Sequence, residues 1–249
     1  MNLLRSEWTK FRSLRSTWLT MAVTALLGIG VATLASSAKA HAYDPVDWDP
    51  TATSLTSIIV AQLATGVLGV LVVTSEYATG TIQPSVVAVP VRGRLLAAKA
   101  VVLGGSTLLL SQVIGFVSFF AGQAMIAAAG VPHATLGQPG VLRAVIGSGL
   151  YLTAIGLLGV ALGAVLRSTA GAIGVLVSAT LLIRLVAQML PETWSDWMNR
   201  YWPTAAGENI VNVLQASGAL PPWIGFAVLC GFVAVLGAAG YTVLRTRDV

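Results

Sequence analysis

Charge is scarce in this chain. Asp, Glu, Lys and Arg make up 9% of its 249 residues, whereas soluble domains carry about 25%, so water is not the solvent for most of its surface. Cysteine is nearly absent. The lone Cys230 excludes an intrachain disulfide and reads as a small core residue of the last hydrophobic run. The two histidines, His41 and His133, have no metal-type spacing to Cys or carboxylate and read as solvated loop residues. None of the three lysines (Lys10, Lys39, Lys99) ends a G-x-x-x-x-G-K-[ST] loop, so the usual means of holding ATP is missing. Neither a G-x-S-x-G elbow nor an H-E-x-x-H pair is present. No catalytic, cofactor-binding or metal-ligating residue is expected in the chain itself. Ion-coupled transport needs ionisable residues at the membrane midplane. Here only Arg184 qualifies, and it stands close enough to the outer edge of its run to snorkel or to pair with Glu192.

What is present is apolar: 56% of residues are hydrophobic and mean hydropathy is +0.83. A spanning helix needs about 20 apolar residues, and six runs qualify: 17–37, 54–74, 98–125, 142–166, 170–190 and 222–244. The reading is an all-α integral membrane protein with six transmembrane helices, one transmembrane domain over residues 1–249. The first run follows an amphipathic lead and has a weak cleavage-like exit, so a retained span is expected rather than a signal peptide. The third run continues from Leu95 to Ala129; about 35 residues would reach ~50 Å against a ~30 Å hydrocarbon core, requiring tilt, projection or a kink near Gly104-Gly105. Only Arg167, Ser168 and Thr169 join the fourth and fifth runs, so these form a hairpin, with Gly149, Gly156, Gly159, Gly163, Gly171 and Gly174 expected to let them approach closely. Gln62, Ser111, Gln112, Ser118, Gln123 and Gln188 read as hydrogen-bond partners between helices.

The net charge is +5, but the basic residues sit at run ends and report orientation rather than nucleic acid. Ten of the fourteen Lys and Arg fall on one side, with Lys39, Arg143 and Arg200 on the other. The positive-inside rule then places both termini in the cytoplasm. Residues 3–16 plot as an interfacial helix: Leu3, Leu4, Trp8, Phe11 and Leu14 share a face, and Arg5, Thr9, Arg12 and Ser13 oppose it. Glu7 falls within the apolar arc, pairing with Lys10 or Arg15 or facing another part of the protein. Residues 191–221 form an external interfacial segment, since Trp194, Trp197 and Trp202, with Trp223 just beyond, gather four of the seven tryptophans. Ile210, Val213 and Leu214 suggest a short amphipathic helix there.

Residues 74–97 (TSEYATGTIQPSVVAVPVRGRLLA) make a connection too patterned for a turn. Thr81 can cap a helix whose first turn tolerates Pro84. Val86, Val87 and Val89 form an apolar ridge ended by Pro90 and flanked by Arg92 and Arg94. So short a helix is unstable alone in water. It packs on the protein's own inner surface or docks in a groove of a cytoplasmic partner.

Three stretches carry a resemblance: Ser6-Glu7-Trp8-Thr9-Lys10-Phe11-Arg12-Ser13, Ser75-Glu76-Tyr77-Ala78-Thr79-Gly80-Thr81 with Pro90, Arg92 and Arg94, and Leu166-Arg167-Ser168-Thr169-Ala170-Gly171. In this order, along essentially the whole chain, they resemble actinobacterial ABC transporter permeases of the ABC-2 type. The resemblance implies a permease subunit in a bacterial cell membrane, an exporter, pairing as a homo- or heterodimer with a second permease. It also implies a separate ABC ATPase subunit that binds the ATP. Residues 3–16 would be the elbow helix, with Glu7, Trp8, Phe11 and Arg12, and 79–89 the coupling helix. ATPase coupling would fall on Glu76, Thr81, Ile82, Gln83, Val86, Val87, Arg92 and Arg94. The sequence departs from similar permeases at Ala78 and Gln83-Pro84, where basic residues are frequent. A non-transporting membrane protein, such as a sensor, scaffold or immunity factor, is the alternative that the residues alone leave open.

Overall fold

The computed structural model describes residues 2–13, 15–45, 48–78, 80, 92–215 and 218–246. Among these residues there is no strand. The helices are α1 (Asn2–Ser13), α2 (Arg15–His41), α3 (Pro50–Ser54), α4 (Ser57–Ala78), α5 (Arg92–Ala128), α6 (Val141–Leu166), α7 (Thr169–Ala187), α8 (Glu192–Tyr201), α9 (Pro203–Glu208) and α10 (Pro222–Thr246). Six of them, α2, α4, α5, α6, α7 and α10, are long and apolar enough to cross a membrane. The second span starts at Ser57 rather than at 54 because Asp49 caps a separate short helix, accepting bonds from the Thr51 and Ala52 amides at 2.9 Å. Helical structure in α5 runs through Gly104 and Gly105 without interruption. Its 37 residues would measure about 55 Å, so the excess over the bilayer is met by tilt or projection.

The centre of the bundle is the pair α4 and α6, the most enclosed spans, whereas α10 is the least enclosed. Their backbones touch. A Cβ on Gly69 would collide with the carbonyl oxygen of Gly156, and one on Gly159 with that of Gly66. Gly156, Gly159 and Gly163 of the fourth span therefore serve its packing on the second span and Gly149 packs on Gln112 of the third, not on the fifth as expected from chain adjacency. Gly171 meets only Ser168 and Gly174 nothing. Cys230 also differs from expectation: it is exposed on the outer face of α10 rather than in the core.

Two apolar cores flank this crossing. The larger includes Leu55, Ile58, Phe119, Tyr151, Ile155, Leu176, Ile210 and Leu229. The smaller gathers Phe11, Met21, Leu68, Val73, Leu103, Val160 and Leu244, and lies at the end where both termini meet. Polar groups in the spans are placed as staples. Tyr151 donates to Gln62 Oε1 at 3.0 Å. Gln123 Nε2 donates to Pro50 O at 2.8 Å and Ser54 Oγ at 3.0 Å, while its Oε1 accepts from the Ala134 amide at 2.7 Å. Gln112 donates to Ile146 O at 3.0 Å. Ser111 and Ser118 are buried without a side-chain hydrogen bond, and Gln188 is exposed, so the expected bonding holds for part of that set.

The α6–α7 hairpin turns at Arg167, whose φ of 52° is left-handed. A non-glycine residue there is uncommon. Arg167 is held by a bond from Nη2 to Val243 O at 2.9 Å and by stacking over the Tyr77 ring at 5.4 Å. On the opposite end, the external segment is helical at Glu192–Tyr201 and Pro203–Glu208. The expected helix around 210–214 is absent: residues 209–211 form turns, with Ile210 buried in the larger core and Leu214 exposed.

Candidate functional site

Three helices bring four charges together at the terminus-bearing end of the bundle. In α5, Leu95, Lys99 and Leu103 recur every four residues and share the buried side of the helix, so an ammonium interrupts an apolar stripe. In α1, Glu7 and Phe11 form the equivalent buried pair, while Leu4 and Trp8, on a neighbouring line, are exposed. In α4, Glu76 lies just beyond the buried Val73 and Thr74. Each of these helices thus buries a charge because its apolar neighbours are buried.

The geometry pairs every charge. Lys99 Nζ donates to Glu7 Oε2 at 2.8 Å and to Glu76 Oε1 at 2.6 Å. Lys10 Nζ donates to Glu7 Oε1 and Glu76 Oε1, each at 3.1 Å. The side chains of Lys99 and Glu7 are each 5% exposed and Glu76 12%, whereas Lys10 is 45% exposed. The cluster is neutral, with three members withdrawn from water. Partial burial lowers the Lys10 pKa, but the hydrogen bonds and charges of Glu7 and Glu76 outweigh it, so the net shift is upward from the ordinary 10.5.

Such an arrangement is a joint. It has no group of three or more His, Cys, Asp or Glu suited to a metal among the described residues. What it can do is hold α1, the end of α4 and the start of α5 as one body. Separating any of them leaves an unpaired charge in an apolar setting.

Of the residues expected to act here, Glu7 and Glu76 belong to the joint and Phe11 packs beside it in the smaller core. Trp8, Arg12 and Arg94 are exposed and outside it, and Arg92 opens α5. Thr81, Ile82, Gln83, Val86 and Val87 lie outside the described residues. Glu7 takes both Lys10 and a distant part of the protein as partners. Lys99 was missed as a site residue. Its signal was a lone lysine at the start of the third apolar run, with Glu76 just past the end of the preceding one.

A second ion pair joins the opposite end. Arg184 of α7 pairs with Glu208 of α9, not with Glu192. Just before it, residues Ser178–Leu182 form a π turn. The Ala179 carbonyl accepts from Trp202 Nε1 at 2.8 Å and Thr204 Oγ1 at 2.9 Å. Trp194 and Trp197 of α8 remain exposed.

A comparison with curated proteins returned no match. A family model described as ABC-2 family transporter protein matches residues 3–194, from α1 through all of the first five spans and into α8. With that match over most of its length, the chain belongs to the ABC-2 transporter family and is a multi-pass membrane permease of an ABC transporter.

Proposed function

We propose that this permease is the membrane-spanning subunit of an ATP-driven exporter in the cell membrane, coupled to a separate ATPase and working beside a second permease. The observation that carries the reading is the four-charge joint. Glu76 and Lys99 stand on either side of residues 79–91 and Glu7 bonds directly to Lys99. A displacement of that connection is delivered to α4, α5 and α1 together.

In this reading both termini are cytoplasmic, as the distribution of Lys and Arg favours. Residues 79–89 dock on the ATPase through Val86 and Val87, with Thr81, Ile82, Gln83, Arg92 and Arg94 around them. ATP binding closes the ATPases and moves the docked segments, and the joint passes the motion into the central α4–α6 pair. The chain itself holds no ATP and catalyses nothing.

The test is a transport assay with V86D/V87D, after confirming membrane insertion. Transport should be lost while insertion is retained; unchanged transport would refute the docking assignment. Purified permease should show no ATP hydrolysis until its ATPase is added. Hydrolysis by the permease alone would overturn the division of labour.

A further inference from the structure

We propose that a recess between the start of α5 and the end of α10 is a binding site for an anionic phospholipid. Its phosphate is held at the rim by Arg94, Tyr241 and Arg245. The recess measures about 440 Å³ and is lined by Gly93, Arg94, Leu96, Ala97, Ala100 and Tyr241.

Its shape follows from side-chain size. The Tyr241 ring lies against Gly93, where a Cβ would come within 2.6 Å of it. With α10 held so close at that point, Ala97 and Ala100 are too short to fill the space alongside. The floor is therefore apolar and open towards the surroundings of the bundle.

The rim has the opposite character. Tyr241 and Arg245 are one turn apart on α10 and so are neighbours on its surface. Arg94 faces them from α5 as part of the lining. All three are exposed, and none forms a hydrogen bond or ion pair among the described residues. Among the described residues, the carboxylates Glu7 and Glu76 at this end are committed to Lys10 and Lys99.

Two guanidiniums and a hydroxyl donor, without an acceptor among the described residues and beside an apolar floor, match a ligand with an anionic head and a hydrocarbon tail. A small anion would leave the floor unfilled. Basic pockets between spans, at the membrane end where Lys and Arg gather, suit anionic headgroups. The inference stands whether or not the chain is an exporter.

The test uses the full chain in nanodiscs of phosphatidylcholine doped with phosphatidylglycerol, followed by native mass spectrometry of retained lipid. The wild type should retain phosphatidylglycerol in preference. In R94Q/R245Q the retention of phosphatidylglycerol should fall about fivefold per arginine removed, with phosphatidylcholine unchanged. R94K/R245K should keep the preference. Ala97→Trp, or Ala100→Trp should the first fail to fold, should lower retention of both lipids by filling the floor.

Equal retention of phosphatidylglycerol by the wild type and R94Q/R245Q would overturn the site. So would its displacement by inorganic phosphate as readily as by added phosphatidylglycerol. Occupation of the recess by a second copy of the chain, seen as a cross-link through Ala97→Cys with lipid retention unaffected, would overturn it as well.

Discussion

Replacing Lys99 by Met tests the joint most directly. Met keeps the length and apolar stem of the side chain and removes only the ammonium. Glu7 then loses its 2.8 Å partner and Glu76 its 2.6 Å partner, while Lys10 remains 3.1 Å from both. Breaking a buried ion pair by removing one member typically costs about 3–5 kcal/mol, because the other charge is left without compensation. Lys10 is nearly half exposed and offsets part of this, so a loss near about 3 kcal/mol is expected. The assay is reversible unfolding of the purified permease in mixed micelles titrated with dodecyl sulfate, followed by circular dichroism. The triple variant E7Q/E76Q/K99M removes the buried carboxylates as well. It should be more stable than K99M, since neutral residues of similar volume replace buried ions at little cost. A K99M variant within about 0.5 kcal/mol of the wild type, the range of an ordinary surface change, would refute the reasoning. A triple variant no better than K99M would do the same.

The raised pKa of Lys10 means that its contribution is complete below the ordinary lysine value of 10.5 and is lost as pH rises through the folded value. Hydrogen exchange in α1 should therefore increase in strongly alkaline buffer, and K10Q should show a smaller change than the wild type. Gly159→Ala should destabilise by about 1–3 kcal/mol, since the added carbon meets the Gly66 carbonyl. Gly174→Ala, with nothing near it, should be neutral or slightly stabilising in the same dodecyl sulfate titration. Trp202→Phe should cost about 1 kcal/mol, because Thr204 still satisfies the Ala179 carbonyl. W202F/T204V should cost more than the sum of the single changes and raise hydrogen exchange around residues 178–183. A strictly additive result would show that the two donors do not share one acceptor.

The six spans were legible because hydropathy reports the solvent a helix requires, and each run is long enough for the signal to be unambiguous. Hydropathy does not report which helix lies next to which. Gly156 and Gly159 were assigned to the hairpin partner because α7 follows α6 in the chain, yet they face α4. For Arg184 the sequence offered snorkelling or a pair with the nearby Glu192, although Glu208 is its partner. Glu7 showed the limit most clearly. Its position on an apolar arc marked it as anomalous, but Lys99 stands 92 residues away and only tertiary packing joins them. The family resemblance supplied the order of the elements and the expectation of a coupling helix at 79–89. It did not supply the buried lysine, because a motif read along the chain does not say which charges become neighbours across it.

The π turn at Ser178–Leu182 has a geometric consequence for the external helices. A π turn holds more residues than an α turn, so the part of α7 beyond it is rotated relative to an uninterrupted helix. Return of that turn to α geometry would shift the register by one residue and rotate the distal segment by about 100°. Arg184 lies just past the turn and would leave Glu208, and the Ala179 carbonyl, inside the turn, would swing away from Trp202 and Thr204. One change of winding would thus release three links at once. The attachment of α9 to the fifth span is as stable as a single turn of helix.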